Sequence, residues 1–140
     1  MKKTAPFVVA AICVLLSIAG VMAGSDKTDD LDHTRWNLDA IIDVDGRVAI
    51  KANTVLPLEF DAGQALGDAG CNRFFASYTL EGKQLSFGQI ASTKKLCLGE
   101  AQQLENVLFK VLEDVTSFSI ESEHLHLETV DGRSLIYRRN

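Results

Sequence analysis

Cys71, in "GDAGCNRFFASY", and Cys97, in "STKKLCLGE", are the residues most open to a chemical reading, since a cysteine can attack, ligate a metal or form a bridge. A reactive thiol needs a neighbouring base or cation that favours the thiolate. Arg73 lies on the strand face of Cys71, and Lys94 and Lys95 precede Cys97, but there is no Cys-x-x-Cys pair and no recognisable spacing of further zinc ligands. His124 and His126, in "HLHLETV", fall on one face of a strand about 7 Å apart, close enough to chelate an ion. With no third ligand evident, they read as the wet side of a strand whose Leu125 and Leu127 are buried. His33 is the remaining histidine, and no nucleophile-elbow motif accompanies any serine. No catalytic residue, metal or cofactor is expected.

The start of the chain bears on which state the cysteines adopt. Lys2 and Lys3 lead into an apolar run from Phe7 to Ala23, with Val21 and Ala23 as small residues before Gly24, which is the pattern of a cleaved export signal. Cys13 would leave with it, and its position after Ile12 does not suit lipidation. The alternative is an uncleaved inner-membrane anchor through residues 6–23. Cleavage is the favoured reading; it places the protein in the periplasm or envelope, with a flexible leader over residues 24–32 and a single domain over 33–140. Loss of Lys2 and Lys3 takes the formal charge from −5 to −7, against nucleic acid or anionic lipid as direct partners, and a monomer is expected. In an oxidising compartment Cys71 and Cys97 are expected to bond, closing a loop of about 27 residues worth ~3–4 kcal/mol. Redox sensing and metal binding are the alternatives.

Positioning these residues is the work of short strands. "TRWNLDAIID" alternates Trp36, Leu38, Ala40 and Ile42 on one face, and Asp45-Gly46 reverses the chain. "RVAIKA" and "VLPLEF" follow, the latter turning Leu56, Leu58 and Phe60 to one side, with Pro57 at a strand start or edge. The glycines of "DAGQALGDAGC" read as a loop or bulge. "NRFFASYTLEG" resumes as a strand with Phe74 and Tyr78 facing away from Phe75, then comes "KQLSFGQI". "GEAQQLENVLFKVLEDV" carries Leu104, Leu108, Val111 and Leu112 at helical spacing, with Glu105 among the residues on the wetter side. "SFSIES", "HLHLETV" and "RSLIYRR" complete a mainly β, α+β domain.

The combination of Trp36 and Leu38, "GDAGCNRFFASY", "LSFGQIASTKKLC", Glu105 in a helix and "DGRSLIYRR" resembles the META domain family across nearly all of residues 31–140. The resemblance implies a curved antiparallel sheet, partly closed like a barrel, with one helix packed across it. It also implies an envelope protein tied to heat shock, stress or antibiotic tolerance, with a poorly defined activity. Where the family has the glycine of "FxGxY", this chain has Ala76, so any bulge that glycine permits would be altered.

The leading functional expectation is a noncatalytic envelope-stress domain that binds a protein segment or an apolar small molecule. Its groove, formed between sheet and helix, would draw on Trp36, Asn72, Arg73, Phe74 and Tyr78. A structural factor assisting assembly of an outer-membrane complex is the alternative, and a thiol-redox or hydrolytic enzyme the third reading.

Overall fold

The computed structural model describes residues 31–140, and the expected signal over 1–23 and most of the expected leader over 24–32 lie outside the described residues. Ten strands and one helix run in the order β1 (Thr34–Ile42), β2 (Val48–Lys51), β3 (Pro57–Asp61), β4 (Gln64–Asp68), β5 (Arg73–Glu81), β6 (Gln84–Phe87), β7 (Ala91–Ser92), α1 (Glu100–Glu113), β8 (Val115–Glu121), β9 (His124–Thr129) and β10 (Ser134–Arg139). Neighbours pair antiparallel in the order β1-β3-β4-β5-β6-β8-β9-β10, and β10 returns to β1, so eight strands close a barrel. Closure removes the open edges that a sheet of this size would otherwise expose. The barrel-like expectation holds, with closure complete rather than partial. β2 extends the side of β1 left free beyond β3, and β7 adds to β5.

The interior follows strand alternation. Leu58 and Phe60 of β3 and the residue before that strand, Leu56, all face inward, as do Leu125 and Leu127 of β9. Pro57 opens β3, where its missing amide donor is tolerated. In β1 the expected inward series Trp36, Leu38, Ala40, Ile42 breaks at its end. The pairing register shifts between Leu38 and Ala40 on the β10 side and between Ile41 and Ile42 on the β2 side, so Ile41 is buried in place of Ile42.

The segment taken for a loop contains β4. Ala65 faces the core and Leu66 faces out, a strand alternation hidden by small residues. Gly63 and Gly70, both at positive φ, form the turns on either side. Gly67 has another role: a Cβ there would lie 2.4 Å from the ring of Phe74, its direct cross-strand partner. The inward row Trp36, Leu58, Gly67, Phe74 therefore closes around an aromatic ring that rests on bare backbone. At Ala76, opposite Ala65, the β4–β5 register runs without a shift, so alanine fits a regular strand at that point.

The helix α1 directs Leu108, Val111 and Leu112 into the core, each burial contributing about 1.5–3 kcal/mol. It touches both β6 and β10, which lie on either side of β8 and β9, so it bridges that part of the barrel. The fold also begins earlier than residue 33. Leu31 is fully buried, Asp32 accepts from the Ala62 amide at 2.6 Å, and the Trp36 indole donates to Thr34, whose hydroxyl donates to the Leu31 carbonyl.

Arg133 fastens the β9–β10 turn to the end of α1. Its guanidinium lies 2.9 Å from Asp131 and 2.6 Å from Asp114. The Arg133 side chain first, and the Thr129 hydroxyl second, hold the Asp131 carboxyl down to about 2 from an ordinary 3.8. Because the folded value is the lower one, this contribution to stability is present above the unfolded value and disappears as pH falls through about 2. Asp131→Asn should thus flatten the acid limb of the stability profile over that interval, measured as midpoint temperature against pH. An unchanged limb would show that the turn carries none of the acid sensitivity.

Candidate functional site

Asn72 is the hub around which the sequence motif is built. Its side chain is 3% exposed, and every polar group on it has a partner. The Asn72 amide N–H donates to Glu105 Oε2 at 2.8 Å, and Nδ2 donates to Glu105 Oε1 at 3.1 Å and to the Lys95 carbonyl at 3.2 Å. Oδ1 accepts from the Thr93 hydroxyl and the Lys95 amide, each at 2.8 Å. One asparagine therefore joins the start of β5, the segment 93–95 and helix α1. Its neighbour Cys71 is bonded to Cys97, with Cα atoms 6.0 Å apart, which ties down the same segment one step further along.

Glu105 overturns the expectation of a wet position. Helical periodicity places it beside the apolar stripe, and the Asn72 donors draw it in until it is 7% exposed. A buried carboxyl needs such donors, since burial without hydrogen bonds is costly. The signal that could have located it is the pairing of a lone acid near the helix stripe with an asparagine beside a cysteine.

The five residues expected to form a groove separate into two groups. Trp36 lies wholly inside the barrel under the Arg139 guanidinium, and Asn72 is consumed by its network. Tyr78 packs edge-on against Phe60 with centroids 5.1 Å apart. Only Arg73 and Phe74 border an apolar depression, of about 500 Å³, and it lies on the outer wall of the barrel. Between α1 and the segment 90–96 a second depression, of about 450 Å³, is mainly polar, with Phe109 its one aromatic lining residue.

Register explains the outer depression. Arg35 pairs with Glu59, Glu59 with Leu66 and Leu66 with Phe75, giving one outward row across β1, β3, β4 and β5. Pro57, Asp68 and Arg73 border the row on one side. Arg35 and Glu59 form an ion pair at 2.5 Å at one end of the row, whereas Leu66 and Phe75 stand 49% and 56% exposed at the other. Alternation set Phe75 on the face opposite Phe74 and Tyr78 without fixing which face is outward, and Leu66 was hidden in the segment read as a loop or bulge.

His124 and His126 are half-buried on one face of β9, as expected, and belong to no group of three candidate ligands among the described residues. Asp32, His33 and Asp61 do form such a group, with ligand atoms within 4.8 Å of one another. His33 Nδ1 lies 2.7 Å from Asp61, and the imidazole is largely exposed, so a surface contact between histidine and carboxylate accounts for the arrangement.

Truncation of Glu105 should expose how much the hub contributes. Glu105→Ala strands two buried donors and is expected to lower stability by about 2–4 kcal/mol in urea unfolding. Glu105→Gln keeps the shape but offers one acceptor oxygen in place of two, and should fall between Ala and wild type. A loss below about 0.5 kcal/mol for Glu105→Ala would place the carboxyl in water rather than on Asn72.

The META domain profile matches residues 29–140. A solution structure of a protein from Burkholderia xenovorans shares 27% identity and a TM-score of 0.69, over 81% of this chain and 86% of that one. Another solution structure, at 22% identity and TM-score 0.60, covers 80% and 93%. A crystal structure of a DUF4847 family protein from Bacteroides vulgatus, at 11% identity and TM-score 0.59, covers 80% and 96%, and these last two speak for the fold alone. No curated protein matches the chain. With the motif around Asn72 assembled on a closed barrel and the profile spanning the whole described domain, the chain belongs to the META domain family.

Proposed function

We propose that this protein is a noncatalytic, exported domain that holds an apolar segment of another protein, or an apolar small molecule, against the outer wall of its barrel. The observation that carries this reading is the Leu66–Phe75 pair. The two side chains stand directly opposite each other on neighbouring strands, on a face where alternation ordinarily places polar residues. Together with Pro57 they floor a depression of about 500 Å³, within the size range of small-ligand sites. Arg35, Glu59, Asp68 and Arg73 rim it with polar groups that can fix the orientation of a bound chain. Covering a half-exposed leucine and phenylalanine supplies an apolar driving force, and the surrounding strands are already ordered before any ligand arrives.

The two cysteines of the domain are bonded to each other, which removes the thiol that a cysteine nucleophile would supply and supports a structural over a thiol-redox role for the pair. The export signal read from residues 1–23 supports placement in the envelope, where such a bond persists.

The test is uptake of a hydrophobic fluorescent probe that an apolar peptide can displace. Wild type should bind it, and Leu66→Ser with Phe75→Ser should weaken binding at least about fivefold, given the apolar area removed. Because both side chains point outward, the midpoint of unfolding should stay close to wild type. Equal uptake by the double variant would remove the outer wall as the binding surface.

A further inference from the structure

We propose that β2 and α1 form a second recognition site, which takes an extended segment of another protein as an added strand. Closure of the barrel leaves β2 outside: it pairs with β1 and has no second neighbour in the sheet among the described residues. The Ala52 amide donates to the Asp39 carbonyl and the Asp43 amide to the Arg47 carbonyl, each at 2.9 Å. Hydrogen-bonded pairs alternate with open ones along an antiparallel ladder. The adjacent pairs Lys51–Ala40 and Val48–Ile42 are therefore the open ones, and the N–H and C=O of Lys51 and Val48 point away from β1. Such groups recognise another backbone in extended form.

What distinguishes this edge is a facing wall. α1 packs on β6 and β10, and between it and β2 lie two depressions, of about 500 and 260 Å³, that share Ala49 in their lining. Ile50 and Ala52 line the strand side and Leu104 and Val107 the helix side, all of them half-buried. From Glu100 to Lys110 the helix wall runs about 15 Å, the reach of four or five extended residues. Charge along the groove is balanced: Lys51 lies with Glu100 at one end, Lys110 with Asp43 at the other, and Arg133 is held by Asp131 and Asp114. Selection therefore falls to backbone hydrogen bonds and to apolar side chains at alternate positions of the added strand. β2 is also short and bulged at Ala49, features that keep an edge from pairing indiscriminately, so the helix wall is what makes pairing specific. A second copy of this chain would bring a net charge of −5 and a β2 already walled by its own α1, which favours a separate, slender segment. This inference draws on neither Leu66 nor Phe75, and stands or falls apart from the outer-wall site.

The experiment follows amide exchange in isotope-labelled protein with a short peptide of alternating valine and threonine. Two counterparts of that peptide are N-methylated, one on its valines and one on its threonines. In the free protein the Val48 and Lys51 amides should exchange as exposed amides do, and the unmodified peptide should slow both by about tenfold or more. One methylated counterpart should bind about tenfold more weakly than the other, because only one of them loses the donors that face β2. Ala49→Trp fills the point shared by the two depressions from an exposed position, and should abolish the slowing while the unfolding midpoint stays close to wild type. Slow exchange of both amides in the free monomer, no slowing with the peptide, or equal binding of the two counterparts overturns the proposal. Slowing that needs no peptide and grows with protein concentration would overturn it in favour of a second copy.

Discussion

The architecture depends on a single buried contact between chain segments far apart in sequence: Asn72 at the mouth of β5 and Glu105 on α1, 33 residues later. A closed barrel can form its wall from strand pairing alone, but nothing in that pairing dictates where the helix or the 93–99 segment must rest. The paired carboxyl oxygens and the two Asn72 donors set the azimuth of α1, and Leu108, Val111 and Leu112 then supply most of the burial energy. The disulfide adds a covalent limit to the same arrangement, acting chiefly on the unfolded chain. Polar specificity and covalent restraint thus act on adjacent residues, 71 and 72, with the apolar core as their backing.

That anchorage also explains why the surface nearby differs from the rest of the barrel. Leu66 and Phe75 stand on strands that are locked in register, and Leu104 and Val107 on a helix that Glu105 fastens to Asn72. Exposed apolar side chains on mobile loops cost little and signify little; on a rigid frame they preserve a fixed shape. The hub itself is fully satisfied, with donors and acceptors matched, and so offers no vacant chemistry. Its contribution is mechanical, and the sites proposed here are the surfaces it keeps in position.

Much of this was legible from residue order. The helix announced itself through leucines and valines at three- and four-residue spacing, the turn after β1 through Asp45-Gly46, and the bridge through a count of two cysteines downstream of an expected export signal. What escaped had long-range or geometric causes. The burial of Glu105 depends on a partner that only the tertiary fold supplies, and closure of β1 on β10 joins the two ends of the domain. Ile41 displaced Ile42 because bulges change the phase of alternation without leaving a compositional trace. β4 was concealed because its inward residues, Ala65 and Gly67, are small, and at Gly67 the reason is that the Phe74 ring lies against the backbone. Trp36 and Tyr78 appeared as groove residues for their type, yet a closed barrel of this size uses such rings as filling.

The most direct measurement of the central claim is native-state hydrogen exchange at the Asn72 amide in the oxidised protein. If that N–H is sealed against Glu105, it exchanges only when the whole domain opens, with a protection free energy equal to the unfolding free energy from denaturant, and Glu105→Ala lowers it to a local opening. Exchange of the Asn72 amide at the rate of exposed turns, in intact disulfide-bonded protein, would contradict the account.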